Sequence, residues 1–292
     1  MMFQISESGG NLMNRKMRIF LMVGMLIIGI GILLYPDIAR WYQSRRHVAV
    51  IQEYNENVAL MAIQEIEEEL ERARIHNATI TDISVNDPWD EGANDASGTD
   101  EYYSILNFDR NGMKARIEIP IINVDLPIFH GATPDVLEHG VGHMPHTSFP
   151  IGGLGNHSIL TAHTGLVNAR MFTDVERLEL GDIFIVTVLN NKMAYEIDQI
   201  DIIYPHEIGI LQTDPDRDFI TLVTCTPYGI NTHRLLVRGS RIPYTPDMTN
   251  GVEVILPALN ARLLIVLLFS LLFLLTLIGY RMIQRRQRLK KN

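Results

Sequence analysis

The sequence predicts a mainly β domain, a small barrel or sandwich of seven to eight strands, preceded by an amphipathic helical segment and flanked by two transmembrane helices. Three observations predict it. Two long uncharged apolar stretches occupy residues 19–35 and 263–280 of the 292-residue chain. Residues 105–244 between them break into short β-branched runs separated by turn residues. Residues 38–75 contain neither Gly nor Pro and repeat apolar side chains at helical spacing.

Residues 1–18 end in the basic cluster Arg15, Lys16 and Arg18, and the apolar run 19–35 that follows is just long enough for a helix to span hydrocarbon. No small-residue cleavage site succeeds it, Pro36-Asp-Ile-Ala-Arg-Trp41 being a poor match, so it reads as an uncleaved anchor. Over 36–76 the residues Val48, Ile51, Tyr54, Val58, Met61, Ile66 and Leu70 mark one face of a long or broken amphipathic helix. Its acidic run Glu65–Glu71 reads as a solvated face, supported slightly by Glu68 and Arg72 one turn apart. Residues 77–104 turn polar and small and read as a loop. Within 105–244, the segments 114–119, 122–126, 158–162, 183–188, 193–197, 219–224 and 234–238 each suit a strand, in enough chain to bury a core of its own.

Residues 245–262 read as a linker, and the second apolar stretch is followed by a tail, 281–292, carrying Arg281, Arg285, Arg286, Arg288, Lys290 and Lys291. Basic flanks stay in the cytoplasm, which places both termini inside and residues 36–261 on the extracellular face of the cell membrane. The alternative for this end is a cell-wall sorting signal. Leu256-Pro-Ala-Leu-Asn260 lacks the Thr-Gly bond such a signal needs, so a transmembrane anchor is favoured.

The charge distribution agrees. Residues 1–35 hold three basic side chains against one acidic, 262–292 seven against none, and the middle 15 against 33, for net charges of +2, +7 and −18. So acidic a middle segment has no general attraction for nucleic acid, and DNA and RNA are excluded as partners; the lipid bilayer is expected as one.

The chain has one cysteine, Cys225, at the end of the β-branched run Thr221-Leu-Val-Thr-Cys, with Arg234 nine positions on. A lone thiol so placed suits nucleophilic chemistry, although an arbitrary free cysteine is more often a small buried hydrophobe. Of ten histidines, His163 in Leu160-Thr-Ala-His-Thr-Gly165 resembles it in position, ending an apolar run at a turn. His139, His143 and His146 have a spacing that would allow a metal, but they lie in a Gly/Pro-rich stretch without a supporting cysteine, and no metal is expected.

Thr221-Leu-Val-Thr-Cys225-Thr-Pro-Tyr-Gly-Ile-Asn-Thr-His-Arg234-Leu-Leu-Val-Arg-Gly239 resembles the TLxTC…R signature of sortases, and in its full length the class C, pilus-assembling branch. Segments 142–153, 172–175, 181–182 and 194–200 resemble the same branch, as does a C-terminal anchor added to an N-terminal one. The resemblance covers roughly residues 38–244. Thr164 is a departure, since the branch usually has Arg between this His and Gly.

The resemblance implies a closed sortase-type β-barrel and a transpeptidase. Cys225 would be the nucleophile, His163 the acid and base, and Arg234 a donor to the oxyanion or to substrate carbonyls. Asp87-Pro88-Trp89 is similar to the lid triplet of the branch: Asp87 would pair with Arg234, Trp89 would cover the sulfur, and Pro88 would restrict the backbone between them. The implied partners are pilin subunits carrying LPxTG-like sorting signals, and no cofactor is implied. The alternatives are a sortase that anchors proteins to peptidoglycan and a non-catalytic membrane-anchored β-domain adhesin with an inert Cys225.

Overall fold

The computed structural model describes residues 15–80, 83, 85–90, 100–108, 112–249, 268–270, 273 and 282. The chain forms two compact units, one of residues 1–38 with 255–292 and one of residues 39–254.

Helix α1, Arg15–Leu60, joins the first apolar stretch to the amphipathic segment without a break, with Pro36 inside it. Among the described residues it is the one helix long and apolar enough to cross a membrane. In the first unit it presents Phe20, Met25, Ile28 and Ile32 outward, as a lipid-facing helix would. The second apolar stretch lies outside the described residues except for helical Leu268–Ser270 and Phe273, and of the basic tail only Met282 is described.

The amphipathic segment is broken once. Helix α2, Ile63–Thr79, starts afresh after Met61 and Ala62, and the Glu65 carboxylate accepts the Ala62 backbone N–H at 2.8 Å, supplying half of a capping box. Ile51, Tyr54, Val58 and Ala73 of the two helices are buried in the barrel's own core. Polar contacts fix them there. The Tyr54 hydroxyl donates to the Lys114 carbonyl at 3.0 Å and accepts from the Leu189 N–H at 2.7 Å, while Asn77 exchanges two hydrogen bonds with the Phe149 backbone, at 3.0 and 2.7 Å. A short helix α3, Asp100–Ser104, falls within the stretch read as loop.

The strands are β1 (Met113–Ile119), β2 (Val124–His130), β3 (Val141–His143), β4 (His157–Thr161), β5 (Ile183–Val188), β6 (Asn191–Ile203), β7 (Phe219–Thr226) and β8 (His233–Ile242), with helix α4 (Pro134–His139) between β2 and β3. They close into a barrel in the order β1-β2-β3-β4-β7-β8-β6-β5, with β5 pairing back to β1. Closure removes free edges. The pairs β2/β3 and β4/β7 are parallel and the rest antiparallel. Seven of the eight were expected; β3 was not. At Gly239 on β8 a Cβ would stand 2.5 Å from the Phe184 ring, so only glycine lets β8 lie against the aromatic pair Phe184 and Tyr195 that fills that end of the barrel.

Strand β7 decides where the site sits. Every residue of Phe219–Thr226 is buried, because β4 and β8 flank it and both its faces are covered, as a run of Ile, Leu, Val and Thr requires.

Candidate active site

Cys225 and Arg234 face each other directly across the β7/β8 pair. The register follows from the hairpin: residues 227–232 form the connection, in which Ile230 and Asn231 donate to the Pro227 carbonyl at 3.0 Å each and Gly229 and Asn231 supply the left-handed positions. A nine-residue spacing therefore becomes a cross-strand pair.

His163 arrives from the other side of β7. Strand β4 runs parallel to β7 with His157 beside Phe219 and Thr161 beside Val223, and the same offset carried past the strand end sets His163 beside Cys225. Three hydrogen bonds hold it: Ala162 N–H to the Val223 carbonyl at 3.3 Å, Thr224 Oγ1 to the Ala162 carbonyl at 2.8 Å, and Phe172 N–H to the His163 carbonyl at 3.0 Å. The chain then turns at Gly165, where a Cβ would lie 3.5 Å from the Tyr228 ring and φ is +77°. Thr164, the departure from the family pattern, is buried in this turn.

The Asp87-Pro88-Trp89 segment lies over these three residues. Asp87 takes the Arg234 guanidinium in a fork, Nε to Oδ1 and Nη2 to Oδ2 at 2.6 Å each, and the two side chains are 2% and 7% exposed. Arg234 Nη1 is turned to the Asn231 and His233 carbonyls at 3.1 Å. Its guanidinium carbon lies 4.7 Å from the centre of the Trp89 ring. The indole Nε1–H donates to His163 Nδ1 at 3.2 Å. The expectation for Trp89 was cover over the sulfur; its observed ring contacts are with His163 and Arg234. Upstream, Ile83 and Val85 are buried among Leu137, Met144, Ile208 and Leu211, which pins the segment to the barrel.

Burial sets the ionisation of the site. The Cys225 thiol is pushed up to about 11 by burial, with Asp87 adding to the shift and Arg234 opposing it. Burial lowers His163, against the pull of the Glu138 carboxylate on α4. With the segment closed the thiol and the imidazole are thus both uncharged at neutral pH. Glu138, an exposed residue of a six-residue helix, is a charge near His163 that the sequence did not point to; only the fold brings it to bear on the ring.

The three histidines of the metal-like spacing diverge. His139 Nδ1 faces the Asp135 carbonyl at the end of α4, His146 sits in a left-handed turn, and His143 is fully buried against Lys114, Tyr102 and Ser148.

A sortase-domain family model matches residues 117–242. Sortase C-1 from Streptococcus pneumoniae is 42% identical, with 68% of this chain and 100% of that one covered and a TM-score of 0.63. The chain belongs to the sortase family. The sortase C1 of GBS pilus island 1 is 39% identical, covering 68% of this sortase and 94% of its own chain at a TM-score of 0.62. Sortase A of Streptococcus agalactiae is 28% identical over 149 residues, and this sortase spans 59% of that relative's length. The matched region contains Cys225, His163 and Arg234; Asp87 to Trp89 precede the family model's limits.

Proposed function

We propose that this sortase is a membrane-anchored cysteine transpeptidase that cleaves an LPxTG-like signal between Thr and Gly and joins the Thr carbonyl to a lysine amine of another pilin subunit. The observation that carries the proposal is the Cys225–Arg234 pair, set on adjacent strands beside His163 and closed by an Asp-Pro-Trp segment. A pilus-island sortase among the relatives supports pilins as the substrate class.

The steps follow from the side chains. Once the lid leaves, Cys225 passes its thiol proton to His163, the sulfur attacks the Thr carbonyl, and Arg234, freed from Asp87, donates to the oxyanion. The C–N bond then breaks, and the glycine amine departs with a proton from His163, leaving a thioester. An incoming lysine amine attacks the thioester, gives its proton to His163 and releases the thiolate. One amide is exchanged for another, so the reaction requires no nucleotide or metal. Incubating the full chain in detergent with pilins bearing such a signal should give detergent-resistant ladders of high mass. Transfer to peptidoglycan amines without ladders would show an anchoring sortase instead.

Arg234→Lys keeps the charge but loses the planar fork, and is expected to slow peptide cleavage on the order of 10²-fold. Near-normal turnover would mean that a positive charge alone suffices.

The second apolar stretch, with its basic tail, supports a second membrane pass with both termini cytoplasmic and the barrel outside. Reporters fused at residues 1 and 292 should both read cytoplasm; an external C-terminus would overturn the two-pass arrangement.

A further inference from the structure

The contact between Trp89 and His163 has a chemical meaning beyond cover. An indole Nε1–H can only donate, so the His163 Nδ1 that lies 3.2 Å from it must present a lone pair. The ring proton is then on Nε2. An imidazolium, which carries N–H at both positions, would set two donors against each other.

We infer that Trp89 is a positioning residue whose indole N–H holds His163 as the neutral Nε2–H tautomer, so that the closed lid and the thiolate–imidazolium pair exclude each other. This rests on the transpeptidase and lid reading above. With Nε2 already protonated and the Nδ1 lone pair engaged, His163 has no site for the Cys225 proton. The thiol keeps its hydrogen while the lid is shut. When Trp89 withdraws, Nδ1 is released, the Sγ–H proton can move to the ring, and Asp87 gives up Arg234 in the same motion. Steric closure, occupation of the oxyanion donor and proton control are thereby combined in one three-residue segment.

The groups around the ring fix the direction of the pH dependence. Glu138 on α4 favours a charged His163; Arg234 on β8 is paired to Asp87, with Asp90 nearby, and Cys225 on β7 is uncharged. In the closed state the ring binds its second proton less readily than in the open state, where it approaches the ordinary value of about 6.5. Falling pH therefore favours opening, and closure strengthens as pH rises.

The test is Trp89→Phe, which keeps an aromatic ring and the Asp87–Arg234 fork but deletes the donor. Long-range proton–nitrogen correlation on histidine-labelled full chain in detergent should show wild-type His163 with a bare Nδ1 and protonated Nε2. Trp89→Phe should show mixed tautomers, a titration midpoint raised toward about 6.5, and severalfold faster reaction of Cys225 with iodoacetamide at neutral pH. A wild-type ring protonated on Nδ1, or a His163 titration identical in the two proteins, would overturn the assignment. Asp87→Ala separates the lid from the tautomer: if Cys225 there reacts no faster than in wild type, the lid reading fails, and with it the link between opening and ionisation, whatever the tautomer.

Discussion

Cys225→Ala is expected to abolish both signal cleavage and polymer formation while leaving the barrel folded. The chain has no second thiol to substitute, and without the sulfur no thioester forms, so the loss should be complete rather than graded. The structural cost is small by comparison. Cys225 is 8% exposed at the end of β7, its pairing to β8 is made by backbone groups that alanine retains, and removing one sulfur atom should cost about 1 kcal/mol. Thermal unfolding and ladder formation measured on the same preparation separate the two effects. Ladders from the variant would remove Cys225 from the mechanism, whereas loss of ladders together with loss of folding would make its role structural.

The site was legible in the sequence to different depths. Cys225 and Arg234 stand in one contiguous block, and a hairpin with a short connection converts their spacing into opposition. His163 was harder, because its place beside Cys225 depends on a parallel pairing between β4 and β7 whose partners lie 62 positions apart and leave no local trace. The Asp87–Trp89 triplet resembles the lid triplet of the class C branch, but its bond to His163 crosses 74 residues and no spacing rule reaches it.

Elsewhere the departures have physical causes. Strand β3 is three residues in a Gly/Pro-rich stretch, too short to show a period; it exists because β2 and β4 each offer it a ladder. The helix break at Met61 and Ala62 contains neither Gly nor Pro, and its signal is Glu65 reaching back to the Ala62 N–H. Lys114 is the largest surprise. Strict alternation along β1 would put it outward with Arg116, which pairs with Asp125, yet Lys114 is fully buried. The register shifts between Met113 and Ala115, and this irregularity turns the amine inward to His143 Nδ1 at 3.1 Å, between the rings of Tyr102 and Phe149. Burial holds it well below the usual lysine range, and the His143 ring that accepts from it is kept uncharged.

That buried polar set makes the barrel sensitive to acid. His130 hydrogen-bonds the Ile105 carbonyl and is lowered to about 3 by burial, and His157, bonded to the Gln212 carbonyl and Thr221 Oγ1, is lowered to about 4. Unfolded, each would take a proton near pH 6.5. The unfolded chain therefore binds more protons, so stability is fully present above that pH and is lost as pH falls toward the folded values. For His157 alone the loss by pH 4 is roughly 3 kcal/mol, and with His130 the sum approaches the whole stability of an ordinary domain. Buried Asp218 and Glu118 act in the opposite sense, since burial raises both and acid relieves their cost; their window runs from the ordinary carboxylate value near about 4 up to their raised values, so they offset part of the histidine loss. Lys114, held below the lysine range by burial, adds a loss of the same sign that begins nearer the ordinary value of about 10.4, so urea midpoints should decline from alkaline pH and fall most steeply between about 6.5 and 4. Replacing His157 with Gln, which can still meet both partners but does not ionise, should blunt that fall. A midpoint that stays level down to pH 4.5 would show that these histidines are protonated in the folded barrel and that their burial does not set its acid limit.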